Sequence, residues 1–194
     1  MKSFKYLGCC FFILLSISLA ICQEVENVNK NVISSDYTFY QGEKYDGGDV
    51  LARGVVIGYS RYLWKRIYGD ISYGWMNFEG QNSIWYLEPE EMSFINMKTY
   101  TVGLGYDLIQ NRRFKLTGEV AYLHQYNEGL LMILNTGSGI IRQTGITTDS
   151  ALRTRIKARI SIVDNLKFIT SYAHGFRFVK YSSNWLSLGL SYDF

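Results

Sequence analysis

Cysteine is confined to the first 22 residues. Cys9, Cys10 and Cys22 are the three in the chain, so a chain cut after Cys22 has none, and a disulfide-stapled extracellular module is excluded for it. Proline occurs once, at Pro89, which leaves long extended segments uninterrupted on either side. Histidine occurs twice, at His124 and His174, and no Cys/His spacing has the metal-binding pattern. No Gly-rich phosphate loop precedes a helix. Neither a metal nor a cofactor is expected. Excess charge is missing too. Lys and Arg number 20 against 17 Asp and Glu, and taking away Lys2 and Lys5 with the first 22 residues leaves an excess of one. That balance gives no argument for nucleic acid. Past residue 22 no apolar run approaches the roughly 20 residues that a membrane helix needs.

The one long apolar run is N-terminal. "MKSFKYLGCCFFILLSISLAIC" has Lys2 and Lys5, then an apolar stretch from Leu7 to Ala20, and no acid. This is the pattern of a secretory signal peptide. Ala20 and Cys22 are small residues at the spacing that signal peptidase accepts. Cleavage is expected after Cys22, giving a leader over 1–22 and one domain over 23–194. A retained membrane helix would need a longer run. A lipoprotein would acylate Cys22, but branched Ile21 stands where that pattern has Gly or Ala.

What the chain has in quantity is aromatic residues, with 16 Tyr, 11 Phe and 4 Trp, and alternation. Eight stretches read as strands: 33–40, 50–63, 67–78, 97–109, 114–126, 151–163, 166–179 and 184–194. Connections after the second, fourth and sixth are short, and the one after the sixth holds Asp164-Asn165, a two-residue hairpin signal. Residues 79–96 and 127–149 are long. Short turns on one side and long loops on the other predict an up-and-down barrel with both termini on the short-turn side.

The faces then raise the question of medium. Tyr100, Val102, Leu104, Tyr106 and Leu108 share one face, and Thr99, Thr101, Gly103, Gly105 and Asp107 the other. In the sixth stretch Leu152, Thr154, Ile156, Ala158, Ile160 and Ile162 oppose Arg153, Arg155, Lys157, Arg159 and Ser161. Side chains alternate across a strand, so each stretch has an apolar and a polar or small face. A soluble lipocalin-like barrel would turn the apolar face inward and put Arg153 to Arg159 in water. A membrane barrel turns it to lipid and lines its interior with the polar face. The leader, the Gly, Ser and Thr of the polar faces, and spans near the roughly 9–11 residues of a tilted strand favour lipid. Aromatic belts are expected from Tyr59, Tyr62, Trp64, Tyr106, Tyr192 and Phe194 below, and from Phe39, Trp75, Phe78 and Phe178 above.

The final residues carry a resemblance. Ser187, Gly189, Tyr192 and Phe194 stand at the fixed positions of a pattern similar to the C-terminal assembly signal of bacterial outer-membrane proteins. The resemblance implies that the last strand is read by the barrel-insertion machinery. The whole of 23–194 resembles small eight-stranded outer-membrane barrels, OmpX-like and more loosely OmpA- and OmpW-like. "GYSRYL" and "KRIYGDISYGWMNF" look like small barrels of Bacteroidota. The expected fold is therefore all-β, an eight-stranded antiparallel transmembrane barrel in the outer membrane, in contact with lipid and lipopolysaccharide, and monomeric.

An eight-stranded barrel has room only for side chains or one small ligand. The expected inward charges are Arg153, Arg155, Lys157, Arg159, Lys167 and Arg177 against Asp70, Asp107, Glu119 and Asp193. With strand stagger set aside, counting residues from the short turns puts Glu119 and Lys157 at similar depth. Buried charges must be paired or hydrated, so these read as a rigid plug, with an anion or proton path as the rival reading. "HQYNEG" (124–129) is similar to the His-x-Ser-Asn-x-Gly stretch of barrel lipid-A deacylases, but Tyr126 replaces the nucleophilic serine, and the chemistry lacks its nucleophile. Residues 127–149 predict a hairpin projecting beyond the membrane. Leu131, Met132 and Ile133 on it, with Trp85 and Tyr86 on the preceding long loop, are the interaction candidates. They either cap the barrel mouth or leave an edge for a partner strand, extracellular or of the envelope. The expected role is non-enzymatic, structural or interactive. A narrow, porin-like carrier for small or apolar solutes and a lipid-A-modifying enzyme are the alternatives.

Overall fold

The computed structural model describes residues 31–43, 49–78, 93–135, 140–177 and 182–194. The expected leader, with Trp85, Tyr86 and Phe178, lies outside them. Eight strands follow in order: β1 (Asn31–Glu43), β2 (Asp49–Trp64), β3 (Ile67–Phe78), β4 (Ser93–Gln110), β5 (Phe114–Asn135), β6 (Ile140–Ser161), β7 (Leu166–Arg177) and β8 (Ser182–Asp193). Each pairs antiparallel with the next. β1 pairs with β8 from Val32↔Asp193 to Gly42↔Ser183, which closes the barrel. The Asn31 amide donates to the Phe194 carbonyl at 3.1 Å and the Phe194 amide to Asn31 at 2.9 Å. Closure removes the free edges that an open sheet would present to lipid.

Local chemistry sets the turns. Asn111 Oδ1 accepts from the Arg113 and Phe114 amides at 3.0 and 2.7 Å, an Asx-type turn that starts β5. The connection after β6 departs from the expected two-residue turn. Both the Ile162 and Val163 amides donate to the Leu166 carbonyl, at 2.9 and 3.2 Å, so the turn is wider by one residue. Apolar Ile162 and Val163 are thereby exposed beside Asp164-Asn165.

The faces answer the question of medium. Val102 and Leu104 are 62% and 60% exposed, while Asp107 and Arg159, on the opposite faces of β4 and β6, are 0% and 2% exposed. Apolar residues cover the outside and charges fill the inside. A soluble lipocalin-like barrel requires the reverse and is excluded. Contiguous apolar surface of this extent is unstable in water and stable in a bilayer. Gly105 allows one close approach: a Cβ there would overlap the Tyr68 ring.

Two belt expectations are corrected. Tyr62 points into the barrel and Phe78 packs on an interior apolar cluster. The reason is parity. Tyr62 is three residues from outward Tyr59, and Phe78 three from outward Trp75, so each pair must split across the wall.

Candidate functional site

The barrel interior is layered. The upper layer is apolar: Tyr40, Val56, Met76, Met97, Leu123 and Trp185 pack together, with the Tyr40 and Trp185 rings 4.8 Å apart. The middle layer is a charge cluster. Arg155 Nη2 lies 3.0 Å from Asp70 Oδ2 and 2.5 Å from Glu119 Oε2. Lys157 Nζ reaches the same carboxylates at 3.6 and 3.8 Å. Arg153 Nη2 is 3.8 Å from Glu119 Oε1, and its guanidinium sits 5.8 Å from the Trp185 ring centre. Asp70 also accepts from Ser60 Oγ at 2.6 Å. In the lower layer Arg159 Nη2 is 3.6 Å from Asp107 Oδ1, and the Tyr62 hydroxyl donates to Asp107 Oδ2 at 2.8 Å. Lys167 pairs with Asp193.

The cations come from few strands and the acids from many. β6 supplies Arg153, Arg155, Lys157 and Arg159 at every second residue, because period two keeps them all inward. Their acids lie on β3, β4 and β5, so the pairs tie the barrel across its width. Among the described residues six buried cations meet five buried acids, Asp36, Asp70, Asp107, Glu119 and Asp193, the other cations being Lys115 and Lys167. The register sets Arg155 opposite Glu119 and puts Lys157 opposite Thr117, two residues lower. Lys157 Nζ nonetheless lies 3.8 Å from Glu119 Oε2, so the side chains bridge that offset. The Arg177 side chain lies outside the described residues.

Sequence reasoning passed over four inward groups. Asp36 shares its face with Ser34 and Thr38 on β1, Lys115 starts the inward face of β5, and Tyr68 and Trp185 hold the two ends of the lumen. Parity alone was sufficient to find all four. Among the described residues no group of three His, Cys, Asp or Glu side chains is placed to hold a metal ion.

Both histidines are on the outside, and each makes the same arrangement. Ser150 Oγ lies 2.9 Å from His124 Nδ1 and accepts from the Tyr122 hydroxyl at 2.7 Å. Asn184 Oδ1 lies 2.9 Å from His174 Nδ1 and accepts from the Tyr172 hydroxyl at 2.8 Å. A serine does therefore stand beside His124, brought across from β6 rather than along β5. The twin site has an amide at that place, which is no nucleophile. The arrangement thus recurs where acyl transfer has no starting group.

Above the wall, β5 and β6 continue as a pair to Asn135↔Ile140. Among the described residues β4 follows β5 to Ser93↔Leu130, and β7 follows β6 to Ala151↔Arg177. The expected projecting hairpin is present, with Leu131, Met132 and Ile133 on its β5 arm. From Ile140 to Ser150, β6 pairs on one side only among the described residues. The terminal strand sets Ser187 and Gly189 inward, with Ser187 Oγ 2.8 Å from Thr38 Oγ1, and Tyr192 and Phe194 outward.

No protein-family model matches the chain, and no curated protein sequence matches it. Solved structures do. The Neisserial surface protein A covers 84% of this chain and 97% of its own at a TM-score of 0.64 and 13% identity. Ail, the attachment invasion locus protein of Yersinia pestis, covers 87% of this chain and all of its own at 0.59 and 16%. A second structure of Ail, in complex with the heparin analogue sucrose octasulfate, scores 0.61 at 17% identity, covering 87% of this chain and all of its own. Identities this low speak to fold. With its lipid-facing exterior and charged interior, the chain is an eight-stranded transmembrane β-barrel of the outer-membrane type.

Proposed function

We propose that this barrel is a non-enzymatic surface protein whose role lies in the projecting β5–β6 hairpin. The observation that carries the reading is the stretch Ile140–Thr147, for which β5 is the one neighbouring strand among the described residues. Backbone donors and acceptors along a strand edge can accept a partner strand. Leu131, Met132 and Ile133, with Trp85 and Tyr86, are the proposed contact residues. An extracellular or envelope protein is the proposed partner. A structural neighbour is an attachment protein and another complex of it holds a sulfated sugar, which is in keeping with this reading and supplies a probe.

The lumen supports it from the other side. A carrier needs a path, and here the apolar layer around Met76, Met97 and Trp185 stands over a paired charge cluster. Arg153, Arg155, Lys157 and Arg159 with Asp70, Asp107 and Glu119 are proposed as a rigidifying plug. Ser187, Gly189, Tyr192 and Phe194 are proposed as the signal read by the insertion machinery, and an OmpX-like relationship as the kinship. Bacteria displaying the barrel and bacteria lacking it should be compared for adherence to surfaces coated with heparin or with extracellular-matrix protein, alongside planar-bilayer conductance. A gain in adherence with no conductance steps is expected. Unchanged adherence with stable conductance steps would replace this reading with the carrier.

A further inference from the structure

On the outer face of β3 to β6 the upper aromatic belt widens into a two-row patch with a polar rim. Register places Tyr73, Tyr100, His124 and Ser150 side by side in one outward row. The next outward row above reads Trp75, Lys98, Tyr126 and Thr148. Three strand spacings make each row about 14 Å wide. The rings are in contact: Tyr73 and Tyr100 centres are 5.1 Å apart, Tyr100 and Tyr126 5.7 Å, and Tyr126 and His124 4.7 Å. Tyr73, Trp75 and Tyr100 are between 41% and 56% exposed, so their faces are available.

Groups that both give and take hydrogen bonds rim the platform. Lys98 Nζ and Glu128 Oε1 are 2.8 Å apart, with over a third of each side chain exposed. Ser150 Oγ and the His124 ring close the opposite end. A Lys–Glu pair offers donor and acceptor together with little net charge. That suits neighbouring sugar hydroxyls better than an isolated phosphate. Flat rings carry negative charge on their faces and take the C–H face of a sugar ring. The patch is continuous below with the lipid-facing band, and the hairpin rises from its upper edge.

We propose that this patch binds the saccharide headgroup of an outer-leaflet glycolipid, its acyl chains lying on the apolar wall beneath. The inference rests on the outer-membrane placement of the barrel and is independent of what the hairpin contacts. The full chain would be purified in detergent with an acylated glucosamine disaccharide, transferred to phosphatidylcholine nanodiscs, and the retained glycolipid measured by mass spectrometry. The variants are Tyr100→Leu with Tyr126→Leu, which keep the belt apolar, and Tyr172→Leu at the twin histidine site as control. The unboiled gel shift reports that each variant folds. The double variant is expected to retain about tenfold less glycolipid, with the control unchanged, and unacylated disaccharide is expected to compete. Equal retention by all three proteins would overturn the proposal. So would displacement by inorganic phosphate but not by disaccharide, which marks a phosphate site. Release of free fatty acid would overturn it as well, by assigning Ser150 and His124 to hydrolysis. Adherence lost together with glycolipid retention is not required by the proposal, so its failure and that of the hairpin reading are separable.

Discussion

The two halves of β6 differ in their neighbours, although one continuous strand runs through both. From Ala151 to Ser161 it pairs with β5 and β7, turns Arg153, Arg155, Lys157 and Arg159 into the lumen and sets Leu152, Ile156 and Ile160 against lipid. From Ile140 to Ser150 it pairs with β5 alone among the described residues. In the lower half each residue has a medium assigned to it, either lipid or the charged interior. In the upper half the residues from Gly145 to Ser150 are all at least partly exposed, and the sequence mixes Ile140, Ile141 and Ile146 with Thr, Gly, Gln and Asp. The lesson is that wall and hairpin obey different rules within one strand. Substitutions that are costly below should be tolerated above, where the edge rather than the fold is at stake.

The largest effect should come from the lumen. Arg155→Ala leaves Glu119 and Asp70 without their closest cation, and loss of one partner from a buried pair costs about 3–5 kcal/mol. Urea unfolding in detergent, read by the unboiled gel shift, checks this, and adherence of any folded fraction should be unchanged. The next test uses one substitution at two heights. Ile156→Lys puts an ammonium on the lipid face of the lower half and should cost about 2–4 kcal/mol if near the bilayer midplane. Ile146→Lys, ten positions earlier on the same strand, should change stability by about 0.5 kcal/mol or less. Equal costs would erase the distinction between the halves.

The smallest effect is one of pH. The hydrogen bond and charge of Lys98 hold the carboxyl of Glu128, one row above the belt residue Trp75, below the usual carboxylate range. A carboxyl lowered in the folded state contributes stability that is fully present above its ordinary value and lost as pH falls through the lowered one. The pair is exposed, so the contribution is slight and screened by salt. Glu128→Gln should flatten the acid limb of the unfolding midpoint against pH, and added salt should flatten it further in the wild type.

Much of this was legible from alternation. Period two gave the barrel, the inward column on β6 and the projecting hairpin, because in a two-medium wall each step must change face. The parts it missed have physical causes as well. Tyr62 and Phe78 were read by residue type as belt aromatics, although their spacing from Tyr59 and Trp75 requires the opposite face. Asp36 was overlooked on a strand where Ser34 and Thr38 already marked the inside. Ser150 beside His124 was invisible along the chain, since the contact depends on the β5–β6 register and not on a local motif. The turn after β6 was read as two residues from Asp164-Asn165, while backbone bonds from Ile162 and Val163 to Leu166 set its true width.

The most direct test removes the upper half and keeps the lower. Residues 131–143 would be replaced with Asn-Gly, so that Leu130 and Thr144, already paired, flank a two-residue turn. The account predicts a barrel that still reaches the outer membrane, keeps its unboiled gel shift and unfolds at the same urea concentration, while its bacteria lose the adherence the full chain confers. Adherence retained at full strength with the hairpin gone would contradict it.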